Sequence, residues 1–122
     1  MSELLTIGEI SRRSGVASSA LRFYEQQGLL PARRTANGYR EYDETDVRLV
    51  REIRTLQEIG FNLEETRPFV DCLRSGHESG AQCPASIEAM RRKLADLDAC
   101  IERLVAVRDR IGQELDAARG RA

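Results

Sequence analysis

The sequence has no long apolar run. Nothing in its 122 residues approaches the ~18 consecutive apolar positions that a membrane-spanning helix requires. The opening MSELLTIGEI has neither a basic leader nor an extended apolar core, so it does not read as a signal peptide. A cytoplasmic protein without a membrane partner is expected. Cysteine is scarce. Cys72, Cys83 and Cys100 are too few, and odd in number, for a secreted disulfide scaffold. Histidine occurs once, at His77, and lysine once, at Lys93. No Ser/His/Asp set, glycine-rich phosphate loop or paired-carboxylate cleft is evident, and His77 has no evident orienting partner. The chain therefore does not read as an enzyme, and the sequence requires no cofactor.

What is present is charge, unevenly placed. Net charge is −1. Residues 1–40 hold six arginines against three glutamates, while residues 41–122 are acidic on balance. A modestly basic N-terminal third suits a polyanion partner.

The apolar periodicity predicts a first helix over 6–13, with Thr6 and Glu9 as a capping box, stopped by Gly15. Ser18 and Ser19 are good caps for a second helix, roughly 18–27, which Gly28 ends. Two short helices joined by a glycine-containing turn form a helix-turn-helix pattern. The segment PARRTANGYREY, residues 31–42, follows directly. Its Asn37-Gly38 pair predicts a hairpin with a type I′ turn. A third helix is expected over 43–59, capped by Asp43 or Thr45. A fourth is expected over about 62–73, starting at Asn62 and weakened near its middle by Pro68. Residues 74–83 read as a loop.

The last element is the cleanest. Ile87, Met90, Leu94, Leu97, Ile101 and Leu104 recur at heptad spacing, and Ile111 and Leu115 continue the seam after an interruption at Arg108. A rod of ~50 Å cannot bury such a seam against a body of this size. A second copy of the same helix is the simplest cover, giving a homodimer. The expected fold class is all-α with a small β-hairpin wing. The expected divisions are 1–75, a hinge at 76–84, and a dimerisation helix at 85–119.

The motifs ALRFYEQQGLL and NGYREY, in this order and separation, resemble the N-terminal half of MerR-type bacterial transcription regulators. The order helix-turn-helix, wing, two helices, long helix covers essentially the whole chain. The resemblance implies a winged helix-turn-helix domain on each arm of a dimer, with the long helices in an antiparallel coiled coil. It implies a palindromic promoter element between two boxes set too far apart. A signal makes the dimer distort that spacer DNA, bringing the boxes into register for RNA polymerase. Ser18, Ser19, Arg22 and Tyr24 of the second helix would then face DNA. In the wing Arg33, Arg34, Asn37, Gly38, Tyr39 and Arg40 would do so, mostly as backbone contacts. Arg22 and Tyr24 lie about 200° apart on a helix, so they cannot both reach one groove floor. Phe23 reads as a core residue.

The signal is less legible. No cysteine follows Cys100, so the metal loop that family sensors carry after this helix is not expected. CLRSGHESGAQC places Cys72, His77 and Cys83 within twelve residues, a weak set of soft ligands for zinc or copper(I). Alternatively, Cys72 and Cys83 form a reversible disulfide as a thiol-redox sensor. Helix N-termini activate thiols, which would suit Cys83 to that role. The bland alternative is a buried Cys72 and an inert Cys83. A small organic ligand is a further alternative effector. Cys100 reads as interface packing.

Overall fold

Thr6 and Glu9 satisfy one another at the start of the first helix. The Thr6 hydroxyl accepts from the Glu9 N–H and the Glu9 carboxylate from the Thr6 N–H, both at 3.2 Å. The reciprocal cap launches α1, Ile7–Ser14, and Gly15 ends it in the left-handed region at φ 74°. The computed structural model describes residues 4–31 and 33–121. Along these run α2, Ser18–Gln26; α3, Glu44–Glu58; a 3-10 turn, Glu64–Thr66; α4, Arg67–Arg74; and α5, Pro84–Gly120.

Several expectations hold and several need correction. Asp43 caps α3, and Asp46 returns the favour to the Asp43 N–H at 2.9 Å. Asn62 and Glu65 make the same exchange at 2.9 Å. The cap of α2 is Ala17, not a serine, and no side chain caps this end. Pro68 lies in the first turn of α4, where its missing N–H costs no bond of that helix. The predicted single helix over 62–73 divides ahead of it into the 3-10 turn and α4.

The 33–41 segment doubles back as a closed loop. Its one ladder pair is an isolated antiparallel bridge, Arg34 to Arg40, and no strand is present among the described residues. The turn is not type I′. That turn needs two positive φ values, and only Gly38 has one, at 84°. Gly38 N–H donates to the Thr35 carbonyl at 2.9 Å, and Thr35 N–H to the Tyr39 carbonyl at 2.7 Å. This is a type I turn followed by a left-handed glycine, the three-residue alternative.

The chain divides into two compact units, Met1–Ile87 and Glu88–Ala122. In the first, Ile10, Leu21, Leu29, Val50 and Ile53 are fully buried in one core, with Tyr42 beside them. Each such aliphatic side chain contributes roughly 1.5–3 kcal/mol by leaving water. Leu5 ties the entry of α1 to Tyr42 through two backbone bonds, at 2.6 and 2.9 Å. Phe61 and Phe69 meet edge to face at 5.4 Å. The second unit is the body of α5, whose 37 residues extend ~55 Å. Its apolar seam is open along this single chain: Leu94, Leu97, Ile101 and Ile111 are exposed, and Leu104 is 64% exposed. Leu115 and the first seam residue, Ile87, are exposed as well, while Met90 is half-buried. Cys100 is an exposed free thiol. No helix among the described residues is long and apolar enough to cross a membrane.

Candidate nucleic-acid interface and candidate metal centre

α2 presents one free cation. Arg22 is exposed and has no hydrogen-bond or ion-pair partner among the described residues. Ser18 and Ser19 occupy the first two positions of the uncapped end, with Ser19 exposed. An uncapped helix start offers backbone N–H groups and a partial positive charge to an anion such as a phosphate.

The two aromatics of α2 exchange the roles expected of them. Tyr24 is only 6% exposed, and its hydroxyl donates to Gln57 Oε1 at 3.1 Å. Burial pushes its phenol above its usual value. Tyr24 is thus a core residue with a satisfied hydroxyl, not a surface contact. Phe23 is 48% exposed instead of buried. Helix geometry explains both: Leu21 and Tyr24 are three apart and share the buried stripe, while Arg22 and Phe23 fall outside it.

The loop after α2 is tied down by a residue that sequence reasoning missed. Glu25 accepts from Arg34 Nη2 at 3.1 Å and from Arg40 Nε at 3.1 Å, and the Tyr42 hydroxyl lies 3.4 Å away. Burial, then the nearby Glu25 charge, raises the Tyr42 phenol. The available signal was its isolation, since Glu25 is the only acidic residue between Glu9 and Glu41. Arg33 also departs from expectation. It turns to the start of α3, pairing with Asp46 and, at 3.3 Å, with Asp43. Its charge is matched internally. Burial raises the Asp46 carboxyl despite the guanidinium beside it. Asn37, Gly38 and Tyr39 form an exposed tip, with Tyr39 at 72%.

A second group assembles where α4 meets the loop before α5. Cys72 is buried on α4, and Cys83 is half-buried immediately before Pro84. They are joined as a disulfide with Cα atoms 5.8 Å apart. The Cys83 carbonyl accepts the first helical bond of α5, from Ile87 N–H at 3.1 Å. His77 is exposed. Its ring nitrogen and the two sulfurs all lie within 4.8 Å of one another. The loop is held by its own bonds. Ser86 Oγ donates to the Gly80 carbonyl at 2.5 Å, and Arg48 Nη2 to the Glu78 carbonyl at 2.6 Å. Gly80 packs so closely that a Cβ would lie 2.9 Å from the Phe69 carbonyl oxygen. An open cleft of about 380 Å³ borders both cysteines, with Glu64, Arg67 and Asp71 on its walls.

Comparison with known proteins places this arrangement. The profile of the MerR HTH family regulatory protein matches residues 5–71, and that of the MerR, DNA binding family matches residues 47–113. The HTH-type transcriptional regulator HmrR of Rhizobium leguminosarum bv. viciae is 32% identical over 116 residues, 95% of this chain and 88% of that protein. The Heavy metal-dependent transcription regulator 2 of Rhizobium meliloti (strain 1021) is 36% identical over 96 residues. That match takes in 75% of this chain but only 65% of the relative's length, just under two thirds. Among solved structures, the transcription regulator PbrR691 from Ralstonia metallidurans CH34, in complex with lead(II), aligns with a TM-score of 0.70. It is 27% identical, over 88% of this chain and 81% of that one. The chain belongs to the MerR family of helix-turn-helix regulatory proteins.

Proposed function

We propose that the protein is a sequence-specific, DNA-binding transcription regulator that acts as a homodimer on a palindromic promoter element. Residues 1–75 form the DNA-binding body, 76–84 the hinge and 85–119 the dimerisation helix. α2 enters the major groove, with Arg22 reading a base edge and the Ser18–Ser19 end on a phosphate. The 33–41 loop lies as a wing on the flanking backbone, where Arg34 and Arg40, oriented by Glu25, and Tyr39 fix position. The open seam of α5 pairs antiparallel with a second copy. A signal at the hinge makes the dimer distort the spacer DNA for RNA polymerase. The observation that carries this reading is the exposed Arg22, unpaired among the described residues, on a family-matched helix-turn-helix.

Two readings of the signal have specific support. The Cys72–Cys83 disulfide favours thiol-redox sensing. The three potential ligand atoms within 4.8 Å favour metal sensing, as do the similarities to PbrR691, solved with lead(II), and to the heavy metal-dependent regulator of Rhizobium meliloti. Two sulfurs and a nitrogen suit zinc or a softer ion.

Fluorescence anisotropy with a promoter fragment, repeated across a salt series, tests the DNA reading. Affinity that falls steeply and linearly on a log–log plot is expected, because phosphate contacts release counterions. An affinity indifferent to salt overturns it.

A further inference from the structure

We propose that Cys72, His77 and Cys83 of one protomer form a binding site for a thiophilic d10 cation such as Zn²⁺ that exists only while both sulfurs are reduced. The disulfide and the bound ion are alternative occupants of one place. The inference deepens the metal reading above and rests on it.

Geometry carries the exclusivity. A tetrahedral zinc with bonds of about 2.3 Å to sulfur needs its two sulfurs about 3.8 Å apart. A disulfide holds them at about 2 Å. The Cα separation of 5.8 Å is compatible with either, through rotation about the Cα–Cβ bonds with the backbone in place. The His77 nitrogen, within 4.8 Å of both sulfurs, supplies the third ligand. The adjoining cleft lets water reach the fourth position.

Burial explains why the pair has two closed states. Cys72 is 2% exposed, and a bare thiolate there would be an uncompensated buried charge. Bonding to Cys83 removes the charge, and a divalent cation neutralises it. Cys72 Sγ also lies 3.5 Å from the Ser79 carbonyl oxygen, a poor neighbour for an unpaired anion.

The interconversion balances with a low-molecular-weight disulfide as oxidant. The more accessible Cys83 thiolate attacks it, forming a mixed disulfide and expelling one small thiolate. The Cys72 thiol, giving up its proton to water as it reacts, then displaces the second small thiolate and closes the Cys72–Cys83 bond. The protein gives up two electrons, the small disulfide accepts them as two thiols, and any bound ion leaves for water. Excess small thiol reverses the exchange.

The test uses the full chain, reduced and freed of reductant. Co²⁺ is titrated while the sulfur-to-cobalt charge-transfer absorption is followed, and Zn²⁺ is then added to displace it. One tightly bound, Zn²⁺-displaceable Co²⁺ per protomer is expected. After treatment with oxidised glutathione, Co²⁺ binding should weaken by about 100-fold or more. C72S and C83S should lose the absorption, while H77Q keeps it with affinity about tenfold lower. Saturating Zn²⁺ should slow disulfide formation by oxidised glutathione about tenfold. Equal Co²⁺ binding by the oxidised and reduced protein overturns the proposal. So does reduced protein that binds no better than C72S, or oxidation at a rate Zn²⁺ does not alter. Circular dichroism verifies that each variant folds. Anisotropy on the same samples separates the two readings: DNA binding without Co²⁺ binding removes the metal site and leaves the regulator, and the converse removes the regulator.

Discussion

Glu25 of α2 and Arg40 of the 33–41 loop meet at 3.1 Å across fifteen residues of chain. The same carboxylate also holds Arg34, so one acidic side chain orients two cations that would lie on DNA. We expect E25Q to lower affinity for the specific site by about 1–2 kcal/mol, as charge-assisted bonds are lost. Non-specific affinity should hold or rise, because an acidic group is removed. Parallel anisotropy titrations on specific and random duplexes check this. Unchanged affinity on both would make Glu25 merely structural.

Among the described residues, Arg22 stands unpaired on the same helix. Replacing it by Ala should cost ~1–3 kcal/mol of discrimination between the operator and variants at a single base pair. Uniform weakening on every sequence would assign Arg22 to a phosphate.

Tyr24 offers the converse prediction. Tyr24→Phe keeps the ring in the core and deletes the bond to Gln57. Stability should fall by about 0.5–1.5 kcal/mol in urea unfolding, with DNA affinity unchanged. A tenfold loss of DNA affinity at unchanged stability would return Tyr24 to the DNA surface.

The seam of α5 gives a test of assembly. Leu97→Glu or Leu104→Glu sets a charge on the exposed apolar stripe and should yield a monomer in sedimentation or native mass spectrometry. Binding to the palindrome should collapse with it. A dimer that survives both changes would locate the interface elsewhere.

Acid should loosen the body in a defined direction. Arg13 grips Glu44, with Nη2 to Oε2 at 2.7 Å, and holds that carboxyl below its ordinary 4.5. Arg67 does the same for Glu64, and the Thr6 backbone N–H for Glu9. A lowered folded value means the folded state binds fewer protons, so this stability is complete above 4.5 and lost as pH falls through the lowered values. The raised Asp46 works the other way, since protonation relieves its burial. Melting curves for E44Q should show a shallower acid decline than the parent below about pH 4.5. Parallel declines would remove the Arg13–Glu44 pair from the acid response.

Much of the fold was legible because its signals are local. Caps at Thr6 and Asp43 lie three residues from their partners, and the α5 seam repeats every seven. Errors came where one local rule met a second one or met tertiary packing. Asn37-Gly38 signals a type I′ turn, but Thr35 binds the Tyr39 and Gly38 backbones and selects the three-residue form. Phe23 reads as core by hydropathy alone, yet the stripe through Leu21 and Tyr24 excludes it. Glu25, Arg33 and Gln57 acquire their roles from partners nine to thirty-three residues away, beyond any local pattern. The cysteines were visible as a spacing, but their meeting depends on how the intervening loop packs.

The loop between the two cysteines packs on α4 through an absent methyl group. Gly80 can lie against Phe69 because it has no Cβ to collide with the carbonyl there. The span between the two cysteines is thus drawn short at its tightest point by one missing carbon. Any side chain at position 80 would force this part of the loop away from the Phe69 carbonyl. The approach of the cysteine-bearing loop to α4 is therefore set by a residue that has no chemistry of its own.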